Sequence, residues 1–278
     1  MRSFTSDARV RTALIDRLEP IFNRLGDALM GFWPRRRPAP RQLRRCHLIS
    51  HRGVHDNRRI WENTVRAFDA AVAAGAWGIE CDVRWSLDRE AVVFHDADFQ
   101  RLAGEPIRVG ALTAAQIRAR WPHVPLLREL AERYGKRVHL MVELKAEAFA
   151  APETLRRRLA ASLDGLAPGR DYHLLSLSPW VLDRIGHAHD AACIPIARER
   201  VTAFSRLAAG GRYAGLCGHY LLMTSRVIRR HHRGGQGVGT GFSNTPNALY
   251  REINRSVDWI FTDRVQAMSA ICRGSAPS

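Results

Sequence analysis

Lysine is almost missing from this chain: of 43 basic residues only Lys136 and Lys145 are Lys, and the rest are Arg. In a protein that otherwise uses Arg, a Lys inside a strand-like stretch, as at position 145, asks for a role. Cysteine is scarce as well. The five present, Cys46, Cys81, Cys193, Cys217 and Cys272, are odd in number, scattered and without a close metal-ligand pair, which favours reduced thiols in a cytosolic protein. No uncharged apolar run approaches the roughly 18 to 20 residues of a membrane span. Nor do the first residues resemble a cleaved secretory signal, because Asp7, Arg9, Arg11, Asp16 and Arg17 interrupt any apolar stretch. Acids are outnumbered, 27 against 43, giving a formal net charge of +16, and residues 1–46 alone hold 11 Arg against 4 acids. Such a surface attracts nucleic acid, anionic lipid or phosphorylated compounds. No recognised reader motif or aromatic-interleaved basic strand is present, which sets nucleic acid aside.

What is there begins with an amphipathic stretch. Between Asp7 and Trp33, the residues Val10, Leu14, Leu18, Ile21, Phe22, Leu25, Leu29, Phe32 and Trp33 recur at helical spacing on one broad face. Pro20 should kink or divide this element. The run Pro34 to Pro40 reads as an extended basic linker, so residues 1–46 form a basic helical extension and residues 47–278 the main domain. The apolar face needs a cover: its own barrel, a second subunit or lipid. With Arg35, Arg36, Arg37, Arg41, Arg44 and Arg45 beside it, an anionic membrane surface bound through residues 7–45 is the favoured reading. The expected location is cytoplasmic, peripheral at the inner face of the membrane.

After the linker, strand-like runs alternate with helical ones. Strands are expected at 47–51, 79–83, 138–145, 172–177, 192–197, 214–219, 237–242 and 257–262, eight in all, and Thr113 with Gln116 reads as a capping box. Eight such units favour an α/β fold, a closed (β/α)8 TIM barrel, over an open doubly wound sheet. Only seven residues separate Val83 from Ala91, too few for a parallel crossover, so Val92 to Asp96 returns as an antiparallel hairpin after strand 2. A turn centred on Asp88 and Arg89 would place Asp82 opposite His95.

The acids on these strands need explaining. Glu80 and Asp82 share one face of strand 2 while Ile79, Cys81 and Val83 take the other, and Glu143 and Lys145 likewise share a face of the next barrel strand. Carboxylates are costly to bury unless paired or bound to a metal, so an interior that holds them asks for a cation. His51, Glu80, Asp82, Glu143 and Lys145 all fall at C-terminal strand ends, where this fold places its catalytic groups.

In order along the chain stand His51-Arg52-Gly53, Glu62-Asn63-Thr64, Glu80-x-Asp82-Val83, His95-Asp96, Glu143-Leu144-Lys145 and Thr262-Asp263-Arg264. This set resembles the glycerophosphodiester phosphodiesterase family, whose barrels are similar to phosphatidylinositol-specific phospholipase C. The resemblance implies a divalent cation, Mg²⁺ or Ca²⁺, at Glu80, Asp82 and Glu143, with His51 and His95 as the acid/base pair. It further implies that Arg52 and Lys145 grip the phosphate of a small-molecule or lipid-derived phosphodiester, with Glu62 in a lesser binding role. The expected reaction yields glycerol 3-phosphate and an alcohol. A lysophospholipase D acting on lipid, or a non-catalytic basic membrane-binding module, are the alternatives. Thr262 and Asp263 read as caps of the last helix, and His219, His231 and His232 as surface or rim residues. The chain departs from the family's pattern in having Trp61 before Glu62-Asn63-Thr64 and Gly241 at a position usually aromatic. The latter would open the pocket unless Phe242 or Trp61 fills it.

Overall fold

A computed structural model describes residues 26, 28, 30–147, 151–186 and 192–274. Most of the expected N-terminal helix lies outside these. Nine strands form one sheet: β1 (His47–His51), β2 (Gly78–Trp85), β3 (Ala91–Val93), β4 (His139–Leu144), β5 (Tyr172–Ser176), β6 (Cys193–Ala197), β7 (Gly215–His219), β8 (Gly237–Gly241) and β9 (Trp259–Thr262). Eight run parallel in the order β1-β9-β8-β7-β6-β5-β4-β2, and β1 also pairs with β2, which closes the barrel. The expected TIM barrel is present. β3 stands outside the ring as the antiparallel partner of β2.

The two faces of the strands sort the core. Ile49, Met141, Leu175, Ile194, Cys217, Trp259 and Phe261 fill the barrel interior, one or more from nearly every strand. The alternate residues, such as Leu48, Ile79, Cys81, Leu140 and Val142, meet the surrounding helices in a larger cluster. Period-two alternation in the sequence becomes inside and outside of the ring. Thr113 does cap its helix: its hydroxyl accepts from Gln116 N, and Gln116 Oε1 accepts in return from Thr113 N.

The hairpin register departs from the expected one by a residue. Val83 pairs with Val93 and Trp85 with Ala91, so Phe94 N, not His95, bonds to Asp82 O at 2.9 Å. The cause is the turn. Ser86 N donates to Glu90 O, leaving three residues between them, and the third, Arg89, has φ 64. A three-residue loop ending in a left-handed residue shifts the pairing relative to a two-residue turn. His231 also differs from expectation. It is fully buried, and its ring contacts Ser205 Oγ and Gln236 Oε1, which satisfy both nitrogens beneath the helix Ser225–Arg233.

The N-terminal end of the barrel is floored by rings. Trp77 stacks between His47 and His139, with centroids 4.0 and 4.8 Å away, and His173 follows, 4.9 Å from His139 and 4.8 Å from Trp259. His139 Nδ1 lies 3.0 Å from Arg170 O and its Nε2 lies 2.7 Å from His173 Nδ1. Burial pushes His139 down to about 4, and burial together with the neighbouring imidazole pushes His173 down to about 3. Both folded values lie below the ordinary histidine value of 6.5. The unfolded chain therefore takes up protons first as pH falls. The stabilisation is whole above about pH 6.5 and is lost progressively toward about pH 3. Unfolding measured in urea is expected to become easier between about pH 6.5 and 5, above the range where unfolded carboxylates titrate. A His139→Gln, His173→Gln variant should flatten that slope. An unchanged slope in the double variant would assign the acid sensitivity to other groups.

Candidate active site

Sheet register assembles the site from four neighbouring strands. β1 pairs with β2 so that His51 is level with Glu80, and β2 pairs with β4 so that Asp82 is level with Glu143. Lys145 follows one step beyond β4, its N bonded to Val83 O. Ser50 is level with Thr262 on β9, which brings the next residue, Asp263, beside His51. His51, Glu80, Asp82, Glu143, Lys145 and Asp263 project into the mouth at the C-terminal ends of the strands.

The loop after β1 is shaped by its backbone. Arg52 (φ 56), Gly53 (φ 81) and Asn63 (φ 59) all sit in the left-handed region. For Arg52 and Asn63 that conformation is costly, and such strain persists where surrounding contacts hold it. Gly53 is required here, because a Cβ would lie 2.7 Å from the backbone of Ala67. The contacts that hold Asn63 are reciprocal: its Nδ2 donates to Asp82 Oδ2 at 2.8 Å and its Oδ1 accepts from Asp82 N at 3.1 Å.

Glu80, Asp82 and Glu143 are buried, and they offer carboxylate oxygens that lie within 4.8 Å of one another. Two fixed cations face the three acids. Arg52 Nε is 3.0 Å from Asp82 Oδ2, and Lys145 Nζ is 2.6 Å from both Asp82 Oδ1 and Glu143 Oε1. Burial would raise Asp82, but Arg52 and Lys145 beside it hold it well below the usual carboxylate range. Glu80 is instead pushed up to about 8, by burial and then by the charge of Asp82. Two cations do not balance three buried acids.

That imbalance tests whether a divalent cation fits. Mg²⁺ binds oxygen at about 2.0–2.1 Å and Ca²⁺ at about 2.3–2.6 Å, so opposed ligands span roughly 4 to 5 Å, the spread of these three carboxylates. Asp82 Oδ1 is buried and, although close to the Lys145 charge, accepts no aligned hydrogen bond. An all-oxygen donor set with an under-satisfied lone pair suits a hard cation, and the residues fit one.

Each histidine is held by a carboxylate. His51 Nδ1 is 2.7 Å from Asp263 Oδ1, with its Nε2 turned to the acids, 3.9 Å from Glu80 Oε2. His95 Nδ1 is 2.7 Å from Asp96 Oδ1. Burial and Arg52 oppose the charged form of His51, but Asp263 and Glu80 outweigh them and raise it; His95 is lowered by burial and then by Lys145 and Arg52. Asp263 was expected to cap the last helix. It does not: that helix, Val265–Arg273, has Arg264 at its N-cap without a side-chain cap, while Asp263 binds His51 and accepts from Asn244 Nδ2 at 3.0 Å.

Glu62 serves as a hub. Arg101 Nη2 approaches it to 2.5 Å, Arg52 Nη1 to 3.3 Å and Asn57 Nδ2 to 2.7 Å, and despite its burial these partners hold it at about 2. Arg101 Nε also reaches Asp96 Oδ2 at 2.6 Å. One arginine thus ties the support of Arg52 to the support of His95. The Phe242 ring lies 4.4 Å from that of His51. Trp61 packs edge-on against His123, with the hairpin cluster.

The eight residues singled out from sequence are therefore brought to one mouth. Asp263, Asp96, Asn63, Asn244 and Arg101 were not given these roles. For Asp263 a signal existed, since Trp259, Phe261 and Asp263 share the inward period of β9. Arg101 lies on the short helix Gln100–Ala103 and carried none.

A closed parallel barrel with a buried three-carboxylate cluster and two carboxylate-held histidines at its mouth is a scaffold suited to metal-assisted acid/base chemistry. The chain belongs to the glycerophosphoryl diester phosphodiesterase family, whose model matches residues 51–267. It is 30% identical over 128 residues to glycerophosphodiester phosphodiesterase 1 of Bos taurus, covering 41% of this chain and 38% of that protein. The chain spans less than half the length of the curated relatives it matches. In fold it is similar to the glycerophosphodiester phosphodiesterase of Thermotoga maritima, with a TM-score of 0.66 at 23% identity over 81% of this chain and 98% of that one. A phosphodiesterase of Oleispira antarctica, solved in complex with the product sn-glycerol-3-phosphate, matches with a TM-score of 0.66 at 22% identity over 81% and 95%.

Proposed function

We propose that this protein hydrolyses glycerophosphodiesters to glycerol 3-phosphate and an alcohol, using one divalent cation, Mg²⁺ or Ca²⁺, held by Glu80, Asp82 and Glu143. The observation that carries the reading is the under-neutralised acid cluster set between two carboxylate-held histidines. When bound, the cation would supply Lewis-acid polarisation of the phosphoryl group and offset its developing charge. The chain's own residues do the rest. Arg52 and Lys145 bring N–H donors to the same mouth, where a phosphate can share them with the acids. One of His51 and His95 takes the proton of the attacking oxygen and the other returns one to the leaving alkoxide, so that protons balance over a turnover. Asp263 and Asp96 fix the Nδ1 side of each ring and leave Nε2 for substrate. Glu62 steadies Arg52 and Arg101 as a positioning residue.

Purified protein incubated with glycerophosphocholine and glycerophosphoethanolamine should release glycerol 3-phosphate with added Mg²⁺ or Ca²⁺ and stop with chelator. Neither diester being cleaved under any metal would overturn the reading. The products should be glycerol 3-phosphate with free choline or ethanolamine, rather than glycerol with phosphocholine or phosphoethanolamine, which fixes which of the two ester bonds is cut.

A further inference from the structure

The end of a helix and the extended stretch after it, set against the outer wall, show how the barrel mouth is presented. Residues 30–36 lie along the helix Pro246–Asn254. Met30 packs with Tyr220 and Ala248; Asn247 Nδ2 donates to Gly31 O at 2.9 Å, and its Oδ1 accepts from Arg35 N at 3.2 Å. Lower down, Asn254 Nδ2 donates to Arg36 O. Asn247 opens a helix that follows β8, and Tyr220 follows β7, so residues 30–35 are pinned at the level of the C-terminal strand ends. That is the level of the catalytic groups.

The pinning leaves two large apolar side chains outside. Phe32 is 89% exposed and Trp33 67% exposed, although Met30 next to them is buried. They are not alone on this face. Leu222 in the loop after β7 and Trp180 at the start of the helix after β5 are also exposed, and so is Leu87 in the hairpin beyond β2. Among the described residues only one exposed large hydrophobic, Leu207 in the helix Val201–Gly210, lies off these mouth-side segments. Arg35, Arg36 and Arg37 follow after Pro34 and are exposed, on the stretch that descends from Asn247 toward Asn254.

We infer that the catalytic face of this barrel docks on an anionic lipid bilayer, with Phe32 and Trp33 inserting at the interface and Arg35, Arg36 and Arg37 meeting the headgroups. Aromatic side chains settle at the membrane–water boundary, and a polybasic segment beside them supplies the attraction to anionic lipid. Charge decides the occupant. A second copy of a chain at +16 would bring like charge to the same face, whereas an anionic bilayer brings the opposite sign. The docked mouth would open toward lipid-borne phosphodiesters. The inference rests on the phosphodiesterase reading for that consequence only.

The test uses the full chain and vesicles of phosphatidylcholine with or without phosphatidylglycerol, read by co-sedimentation. Wild type should bind the anionic vesicles at low salt, ignore the neutral ones, and release as salt rises. A Phe32→Ser, Trp33→Ser variant should bind at least tenfold more weakly, and an Arg35→Gln, Arg36→Gln, Arg37→Gln variant should lose most of the salt dependence. Both should cleave soluble glycerophosphocholine at the wild-type rate. Wild type failing to bind, or either variant binding as wild type does, overturns the inference. So does a wild-type dimer in size-exclusion chromatography that the Phe32→Ser, Trp33→Ser variant separates, since that makes a second copy the occupant. Vesicle binding without any diester hydrolysis would keep the docking face and remove the activity assigned to the mouth.

Discussion

Replacing Glu80, Asp82 or Glu143 singly by the corresponding amide is expected to lower glycerophosphodiester turnover by roughly 10³-fold, about 4 kcal/mol of transition-state stabilisation. In the proposed mechanism the three acids share the holding of one cation. An amide keeps the shape and removes the charge, so calorimetric titration with Mg²⁺ or Ca²⁺ should show weaker binding in step with the lost rate. The three variants should differ in stability. Asp82 faces Arg52 at 3.0 Å and Lys145 at 2.6 Å, both largely buried, so Asp82→Asn leaves two cations poorly matched. Breaking a buried pair on one side costs about 3–5 kcal/mol. Among the described residues the Glu80 carboxylate is hydrogen-bonded only by the Arg52 backbone N, at 3.3 Å, and lies 3.9 Å from the His51 ring, so Glu80→Gln should unfold close to wild type. Full chelator-sensitive activity in any two of the three variants would sink the shared cation site.

Removing either imidazole has a different signature. His51→Ala and His95→Ala should each lower kcat at least about a hundredfold while metal binding persists, because proton transfer and not coordination is lost. The double variant should be far less than additive, since the two act in one proton circuit. Asp263→Asn keeps the contact to His51 Nδ1 in shape but offers an amide where a carboxylate stood, which disfavours both the right tautomer and the imidazolium. A lower kcat at unchanged KM is expected for it. Near-wild-type rates in both single histidine variants would make the rings structural, and a KM effect without a kcat effect for Asp263→Asn would make Asp263 a binding residue.

How much of this could be read from residues alone depends on the range of the signal. Alternation in β2 and β4 placed Glu80, Asp82, Glu143 and Lys145 inside, because a strand's faces are set by a period of two whatever surrounds it. The number of strands and the short link between Val83 and Ala91 gave the barrel and its hairpin. What failed was geometry fixed by backbone torsions. Arg89 at φ 64 is not a glycine or asparagine, so nothing in its identity announced the left-handed turn that moves the hairpin register by one. The link from Asp263 to His51 crosses 212 residues and follows from the pairing of Ser50 with Thr262, which no local pattern encodes. Phe242 over His51 and Arg101 between Glu62 and Asp96 are likewise products of tertiary placement.

The seam between β1 and β9 has a consequence for when activity can arise. His47 to Ser50 pair with Trp259 to Thr262, and the next residue on each side, His51 and Asp263, meet at 2.7 Å. The first barrel strand to leave a ribosome therefore waits for the last. Until residues 259–263 emerge, β1 has one edge unpaired and the His51 ring has no carboxylate to hold it. Contacts of such separation are slow to form. A nascent or C-terminally clipped chain should thus carry nearly the whole barrel, with His95 already held by Asp96 but His51 without its carboxylate, so that the appearance of turnover would time the closing of the ring.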